Sequence, residues 1–170
     1  MVAIAGGEEK CKWLRDTLHV DEAVDYKSKT FHSEVKKAIG VNGANVVFDN
    51  VGGEMLDLLL RHLAKGARVV LCGAVSSLND GPKPITNIMS LIVKSASMTG
   101  FTLFDYANRY TEAYDNISNY LLKGQMIYAE EIVNGLERAP RAFLKLFGED
   151  GGHFGKLLVD LHPASSSSRL

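Results

Sequence analysis

The sequence has few cysteines and none of the residue spacings that hold metals. Its 170 residues include only Cys11 and Cys72, too few for a disulfide framework, and neither lies in a CxxC or Cys/His cluster. The five histidines are scattered and form no HExxH or similar ligand spacing. We therefore predict that the chain holds no metal.

An excess of one charge and long apolar runs are also missing. Lys and Arg number 19 against 20 Asp and Glu, and the formal net charge of −1 argues against nucleic-acid and membrane partners. No apolar run approaches the ~18 residues of a bilayer span, and no signal-peptide pattern opens the chain. A composition of 46% hydrophobic and 23% charged residues predicts a soluble, intracellular, globular chain.

Short β-branched apolar runs alternate with stretches of helical periodicity in the first hundred residues. Apolar residues three or four apart indicate helices over 8–18, 30–39 and 54–64, the last ending at Lys65 and Gly66. Strands that are apolar throughout, alternating with helices, predict βαβ crossovers and a doubly wound, mostly parallel α/β sheet. The candidate strands are residues 2–5, 22–26, 45–49, 68–72 and 97–101.

The pattern changes after residue 101. We expect a long helix over 107–122 with its tyrosines inward, a short strand at 131–133 and a helix over 136–146. A turn at 148–152 then leads to a strand over 156–160 with no obvious partner in the chain. This predicts a partial Rossmann domain over 1–104, a helical segment with a final strand over 105–162, and a flexible Ser-rich tail over 163–170.

Ligands of open α/β sheets bind beyond the carboxyl ends of the strands, so the residues after each strand are the candidates for chemistry. NAD-specific folds place a carboxylate after the second strand of the fold, where this chain has Gly6 and Gly7 followed by Lys10. A cation without that carboxylate suits the 2′-phosphate of NADP. A glycine-rich turn with a solvated lysine explains the same residues equally well.

The other strand ends carry small or aromatic residues. Tyr26 follows the second candidate strand, and Asn50 precedes the glycine pair Gly52 and Gly53, which lets backbone approach a ligand closely. Together these ends predict a dinucleotide crevice, although a half-buried Tyr26 explains that position alone. The remaining candidates are Cys72, Gly73, Ala74, Val75 and Ser76 after the fourth strand and Phe101 after the fifth.

Two segments, DNVGGE at 49–54 and CGAVS at 72–76, carry a resemblance to a known family. With residues 2–12, 24–27, 100–101 and 155–159 they resemble the zinc-independent branch of the medium-chain dehydrogenase/reductase superfamily. Within it the chain is similar to NADPH-dependent alkenal/one, prostaglandin and curcumin reductases, and the similarity runs over residues 2–160. The resemblance implies NADP(H) as cofactor and hydride transfer to the β-carbon of an α,β-unsaturated ketone or aldehyde, with small-molecule enones or quinones as substrates.

The resemblance also implies roles for single residues. Lys10 and Tyr26 match positions near the 2′-phosphate, and Asn50 matches a cofactor contact after the third strand. Phe104 falls where the prostaglandin reductases have a tyrosine proposed as proton donor, so that donor is missing and the catalytic residues stay unknown. Residues 72–76 match the loop beside the nicotinamide. Phe101, Thr102 and Leu103 match a further cofactor-contacting segment. His153 falls at a position that faces the nicotinamide ribose.

Several parts of the family pattern have no counterpart in the sequence. Enzymes of the family are about twice as long, and no GxGxxG or AxxGxxG turn to cradle a pyrophosphate stands anywhere in the chain. The missing first strand is the central one of the fold, so its neighbours would become buried edges. We therefore expect a fragment whose central slot is filled by strand pairing between copies, as in a homodimer, or closed by the two edge strands.

Two functions from different classes fit these observations. One is an NADPH-dependent oxidoreductase, or its cofactor-binding part, which would be inactive alone. The other is a non-catalytic nucleotide-binding or dimerisation module derived from such a reductase. A methyltransferase would need a glycine-rich turn after a first strand, which is missing. The final residues, Ser168, Arg169 and Leu170, resemble the peroxisomal signal SKL, so the chain is predicted to be cytoplasmic or peroxisomal.

Overall fold

A computed structural model describes residues 1–147 and 153–161, apart from the side chains of Asn79 and Asp80. The chain divides into two compact units, Met1–Ala113 and Tyr114–Leu170. The turn expected at 148–152 and the Ser-rich tail lie outside the described residues.

Strands and helices alternate through the first unit, as the periodicity predicts. The strands are β1 (Val2–Ala5), β2 (Glu22–Asp25), β3 (Ala44–Asp49), β4 (Leu63–Leu71), β5 (Ser97–Gly100), β6 (Glu130–Asn134) and β7 (Lys156–Asp160). The helices are α1 (Glu8–Asp16), α2 (Phe31–Ile39), α3 (Gly53–Leu60), α4 (Ser77–Asp80), α5 (Met89–Val93), α6 (Tyr110–Leu122) and α7 (Ala139–Lys145), with 3-10 turns at Leu103–Arg109 and Leu136–Arg138.

All strand pairs in the described residues are parallel. β1 pairs with β2, β3 pairs with β4 and β4 with β5, and β6 pairs with β7. Within the first unit the connections are helical, which is the pattern of a Rossmann-type α/β fold. The predicted fold class is confirmed.

The sheet of the first unit is interrupted between β1 and β3. In the described residues these strands belong to separate sheets of two and three strands, so they do not close up on each other. On β3, Val46 is 53% and Phe48 61% exposed while Val47 between them is buried. Side chains alternate between the faces of a strand, and the face of Val47 is the one that α3 covers.

Helix α3 joins the two sheets by packing against both. Its Leu56 and Leu60 belong to a core cluster with Val47 of β3 and residues of β4. Its Leu58 belongs to a second cluster with residues of β2 and α2, and Leu59 packs against both clusters. One helix therefore holds the interrupted halves in a single compact unit.

The end predicted for this helix is wrong. The Lys65 and Gly66 signal predicts a helix to residue 64, but α3 ends at Leu60 and β4 begins at Leu63. Leu63 is only 1% exposed and packs in the cluster shared by α3, β3 and β4. Burial of this side chain in a strand outweighs the local terminator signal, because tertiary packing overrides propensity.

Two expectations for the second half of the chain also fail. β7 was expected to lack a partner, but it pairs in parallel with β6 over all five residues of each strand. The helix expected from 107 begins at Tyr110, after a 3-10 turn. Its Tyr114 is 70% and Ile117 45% exposed, so the described residues do not bury the apolar face expected inward.

Asp57 of α3 fixes the segment that follows α4. Its carboxylate accepts hydrogen bonds from the backbone N–H groups of Thr86 and Asn87 at 2.6 and 2.7 Å and from both side chains. Burial raises the pKa of Asp57, but these hydrogen bonds outweigh it and the net pKa is lowered. The folded state therefore favours the ionised form.

We predict that Asp57→Asn costs more stability at pH 7 than at pH 3. A lowered folded-state pKa stabilises the fold above the unfolded pKa of ~4, and this contribution is lost as pH falls through the folded value. Urea unfolding at the two pH values measures the difference. Asp115→Asn, at an exposed position of α6, is the control and should change little at either pH. An equal penalty at both pH values for Asp57→Asn would show that the charge is not involved.

Candidate functional site

The first group of predicted residues lies at the carboxyl ends of β1 and β2. A Cβ on Gly6 would lie 2.8 Å from the Tyr26 ring and from its hydroxyl oxygen, so the phenol packs directly over this glycine. A side chain at residue 6 would require the Tyr26 ring to move.

Asp25 holds this strand end in place, a role that the sequence did not suggest. Its Oδ1 accepts hydrogen bonds from the backbone N–H of Gly7 at 2.8 Å and of Lys27 at 2.9 Å. The Tyr26 N–H donates to the carbonyl of Ala5 at 3.0 Å, which extends the β1–β2 pairing. The sequence signal for this role was an aspartate at the last position of a strand, followed by an aromatic residue and a lysine.

Helix α1 begins directly beside Tyr26. Gly7 is its N-cap with φ 95°, and no side chain caps the first turn. Lys10 lies half-buried in that first turn. The uncapped amides and the positive end of the helix dipole favour an anion here, and the lysine adds a full positive charge. Glu8, Glu9 and the Asp25 carboxylate that accepts the Gly7 N–H oppose this charge, although Glu8 forms an ion pair with Arg15.

The second group lies at the carboxyl ends of β3 and β4. Val75 N–H donates to Asn50 O at 3.1 Å, and both the N–H and the hydroxyl of Ser76 donate to Val51 O, at 3.0 and 2.6 Å. A Cβ on Gly73 would lie 3.1 Å from Asn50 O. The Asn50 loop and residues 72–76 therefore form one backbone surface, held at close approach.

Asp49 is buried beneath this surface at 3% exposure. Its two carboxylate oxygens accept the N–H groups of Val51 and Gly52 at 3.1 and 2.9 Å. Its own carbonyl accepts the N–H of Cys72 at 2.8 Å. One residue thus orders both loops of the second group.

Aromatic packing attaches the end of β5 to the same group. The Phe101 ring lies 6.5 Å from that of Phe48 and 5.7 Å, edge-on, from that of Tyr106. Thr102 caps the 3-10 turn that follows, in a reciprocal arrangement with Asp105. Leu103, whose carbonyl accepts the Tyr110 hydroxyl, is 63% exposed. An apolar platform therefore borders the loop of residues 72–76.

His153 belongs to the other compact unit. Its Nδ1 lies 3.0 Å from the carbonyl oxygen of Gly155, just before β7. This contact orients the ring locally. The role expected for His153 beside the other site residues stays a prediction.

The predicted residues thus fall into two groups at the carboxyl ends of parallel strands. Gly6, Lys10 and Tyr26 form the first, and the loops around Asn50 and Cys72 form the second together with Phe101. That the two groups bind one cofactor stays a prediction. In the described part of the chain, no three His, Cys, Asp or Glu side chains lie together as a metal ion would require, and no helix is long and apolar enough to cross a membrane.

The sequence profile of one family matches the first unit and part of the second. It covers residues 1–119 and carries the description "Zinc-binding dehydrogenase". The chain belongs to this dehydrogenase family. The relatives that the chain matches support its membership in the zinc-independent branch of the medium-chain dehydrogenases and reductases, as residues 49–54 and 72–76 indicated.

Two curated relatives and one solved structure show how far the similarity extends. YfmJ of Bacillus subtilis (strain 168) is 36% identical over 97% of this chain and 49% of its own length. The 2-alkenal reductase (NADP(+)-dependent) of Nicotiana tabacum is 34% identical over 94% of this chain and 46% of its own length. The crystal structure of CurA from Vibrio vulnificus in complex with NADPH has a TM-score of 0.83 and 39% identity, over 95% of this chain and 49% of CurA. This chain therefore spans about half the length of these proteins.

We predict that Asp49→Ala destabilises the first unit by roughly 1–3 kcal/mol, because it leaves the buried N–H of Gly52 without an acceptor. The midpoint of urea unfolding measures the loss. Asp115→Ala at the exposed position on α6 should stay within about 0.5 kcal/mol of the parent chain. Equal stability of the two variants would mean that Asp49 does not order the two loops.

Proposed function

We propose that the chain is the NADPH-binding part of a reductase that saturates the carbon–carbon double bond of α,β-unsaturated ketones or aldehydes. The observation that carries the proposal is the phosphate-suited end of β1, where Gly6 lies under Tyr26 and Lys10 lies in the uncapped first turn of α1. Similarity to an NADP(+)-dependent alkenal reductase and to an NADPH-bound CurA supports the same assignment.

Each group of residues would hold a different part of the cofactor. Lys10 and the amides of α1 would bind the 2′-phosphate, and the Tyr26 phenol would cover it. The loops of Asn50 and residues 72–76 would lie along the nicotinamide end, with Phe101, Thr102 and Leu103 beside them. The backbone contacts between these loops and Asp49 support this division, because they fix a rigid surface before any ligand binds.

Bound NADPH would supply the hydride for the β-carbon of the substrate. The proton for the neighbouring carbon would come from solvent or through the cofactor ribose, because Phe104 offers no acid. Phe104 is 85% exposed, which leaves water access at this position. The proposal therefore assigns this chain's residues to binding and orientation rather than to acid–base chemistry.

A second candidate function is a nucleotide-binding or dimerisation module without catalytic activity. The interruption between β1 and β3 favours it, because the strand edges that face the gap lack the backbone pairing of a continuous sheet. Turnover of a simple enone with NADPH, measured with and without a full-length relative, separates the two functions. Turnover that the chain adds to that of the relative supports the reductase, even if the chain is inactive alone, whereas no added turnover supports the module.

We predict that the chain alone binds NADPH in the millimolar range and prefers it to NADH about tenfold through Lys10. Removing one charge-assisted contact costs about 1.4 kcal/mol or more, so Lys10→Gln should abolish the preference. NMR titration with each dinucleotide measures both affinities.

Lys12→Gln is the matched control, since Lys12 is exposed on the same helix two residues away and about 200° around the axis. It should keep the preference for NADPH. Micromolar binding of NADPH by the chain alone would contradict the expected millimolar affinity. An unchanged preference in Lys10→Gln would contradict the phosphate-binding role.

The location proposed for the chain is the cytoplasm or the peroxisome, depending on its last three residues. Ser168, Arg169 and Leu170 lie outside the described residues, so the test uses the sequence alone. A fluorescent protein fused before this chain decides between the two: import into peroxisomes that deletion of Leu170 abolishes supports the peroxisome. A fusion that is diffuse with and without Leu170 would exclude peroxisomal import.

A further inference from the structure

A cavity of about 490 Å³ opens at the end of the sheet opposite to the candidate cofactor site. It lies at the amino ends of β3 and β4 and beside the residues that lead into β5. β3 spans six residues, or roughly 17 Å, and a bulge in β4 brings its nine residues to the same length, so the cavity lies far from the carboxyl ends of the strands. It is a separate place on the first unit.

Basic side chains from three segments line this cavity, and among the described residues no acidic one lines it. α2 contributes two lysines, the turn between α3 and β4 contributes an arginine and a histidine, and the residue after α5 contributes a lysine. These residues are Lys36, Lys37, Arg61, His62 and Lys94. None of the ion pairs recorded between described residues uses them.

Backbone hydrogen bonds hold in place the segments that carry these side chains. The carbonyl of His62 accepts the N–H of Ala44 at 2.8 Å, and the carbonyl of Lys94 accepts the N–H of Gly66 at 2.7 Å. Gly43 packs so closely on the start of β4 that a Cβ there would lie 2.5 Å from the backbone nitrogen of Ala64. The basic residues are therefore held by the sheet rather than by a mobile loop.

The carboxyl end of α2 offsets only part of this charge. Lys36 and Lys37 lie in the last turn of that helix, where the helix dipole supplies about half a negative charge. Arg61 and Lys94 come from other segments and have no such partner at this cavity. Four permanent cations therefore line the cavity with only part of their charge offset, and all four would attract an anion bound there.

The pKa of the His62 imidazole responds to these positive charges. Burial lowers the pKa of His62, and the positive charges of Lys36, Arg61 and His32 lower it further. Lys37 and Lys94 line the same cavity. An anion bound among these groups would oppose the effect and raise the pKa of His62.

We propose that this cavity binds a small polyanion that carries at least two linked phosphate groups. Four cations from three segments suit several negative charges better than one. The volume lies within the range of small-molecule pockets, about 300–1,000 Å³, which leaves room for more than a single phosphate. Nothing in the proposed cofactor site contributes to it, so the inference does not rest on the proposed function.

The test is isothermal titration of the 170-residue chain with tripolyphosphate, with inorganic phosphate and acetate as weaker-charged probes. We expect one tripolyphosphate per chain, with an affinity at least tenfold above that of phosphate. The double variant Lys36→Gln/Arg61→Gln should lower that affinity at least tenfold, and the single variant Lys94→Gln should lower it measurably. All three positions are exposed or half-exposed, so the fold should tolerate the changes.

Two controls separate this cavity from the candidate cofactor site. Lys123→Gln removes an exposed lysine of the other unit and should leave tripolyphosphate binding unchanged. Lys10→Gln should also leave it unchanged, although it alters the dinucleotide preference. If Lys10→Gln abolishes binding and Lys36→Gln/Arg61→Gln does not, tripolyphosphate occupies the cofactor site and the proposal is overturned.

The pKa of His62 gives an independent readout. Histidine resonances followed by NMR over pH should show that the pKa of His62 rises when tripolyphosphate is added to the parent chain, and that it rises less in Lys36→Gln/Arg61→Gln. An unchanged pKa of His62 at saturating tripolyphosphate would overturn the proposal. A DNA oligonucleotide that displaces tripolyphosphate at lower phosphate concentration would overturn the assignment to a small ligand.

Discussion

The packing of α3 against both halves of the interrupted sheet is the interaction on which the first unit depends. The side chains of Leu56 and Leu60 are buried against β3 and β4, and that of Leu58 is buried against β2 and α2. No strand pairing joins β1 to β3 in the described residues, so side-chain burial replaces the backbone hydrogen bonds of a continuous sheet. The β1–β2 pair and the three-stranded sheet keep a parallel arrangement within themselves, and α3 links them.

This constraint also explains how the candidate site is divided. The carboxyl ends of β1 and β2 carry the phosphate-suited group around Lys10 and Tyr26, and those of β3 and β4 carry the rigid loops around Asn50 and Cys72. Each group is ordered internally by an aspartate, Asp25 in the first and Asp49 in the second. The proposed weak cofactor binding follows, because an interrupted sheet supplies two half-sites and no glycine-rich turn between them.

Hydrophobic periodicity predicted the five strands of the first unit and the helices α1, α2 and α3, but it did not indicate the short helices α4 and α5. It failed where distant contacts decide the structure. Burial of Leu63 moves the end of α3, and pairing with β6 gives β7 the partner that the sequence did not indicate. Strand-end positions of the site residues were predictable from topology, whereas the supporting hydrogen bonds of Asp49 depend on atomic geometry that a sequence does not display.

If the two groups of strand-end residues bind one NADPH molecule, both should respond to the same titration. The isotopically labelled chain is titrated with NADPH and followed through backbone amide resonances. We expect Gly6 and Lys10 in one group, and Asn50, Gly73 and Ser76 in the other, to shift together and saturate with the same dissociation constant. Shifts confined to one group, or different constants for the two groups, would contradict it.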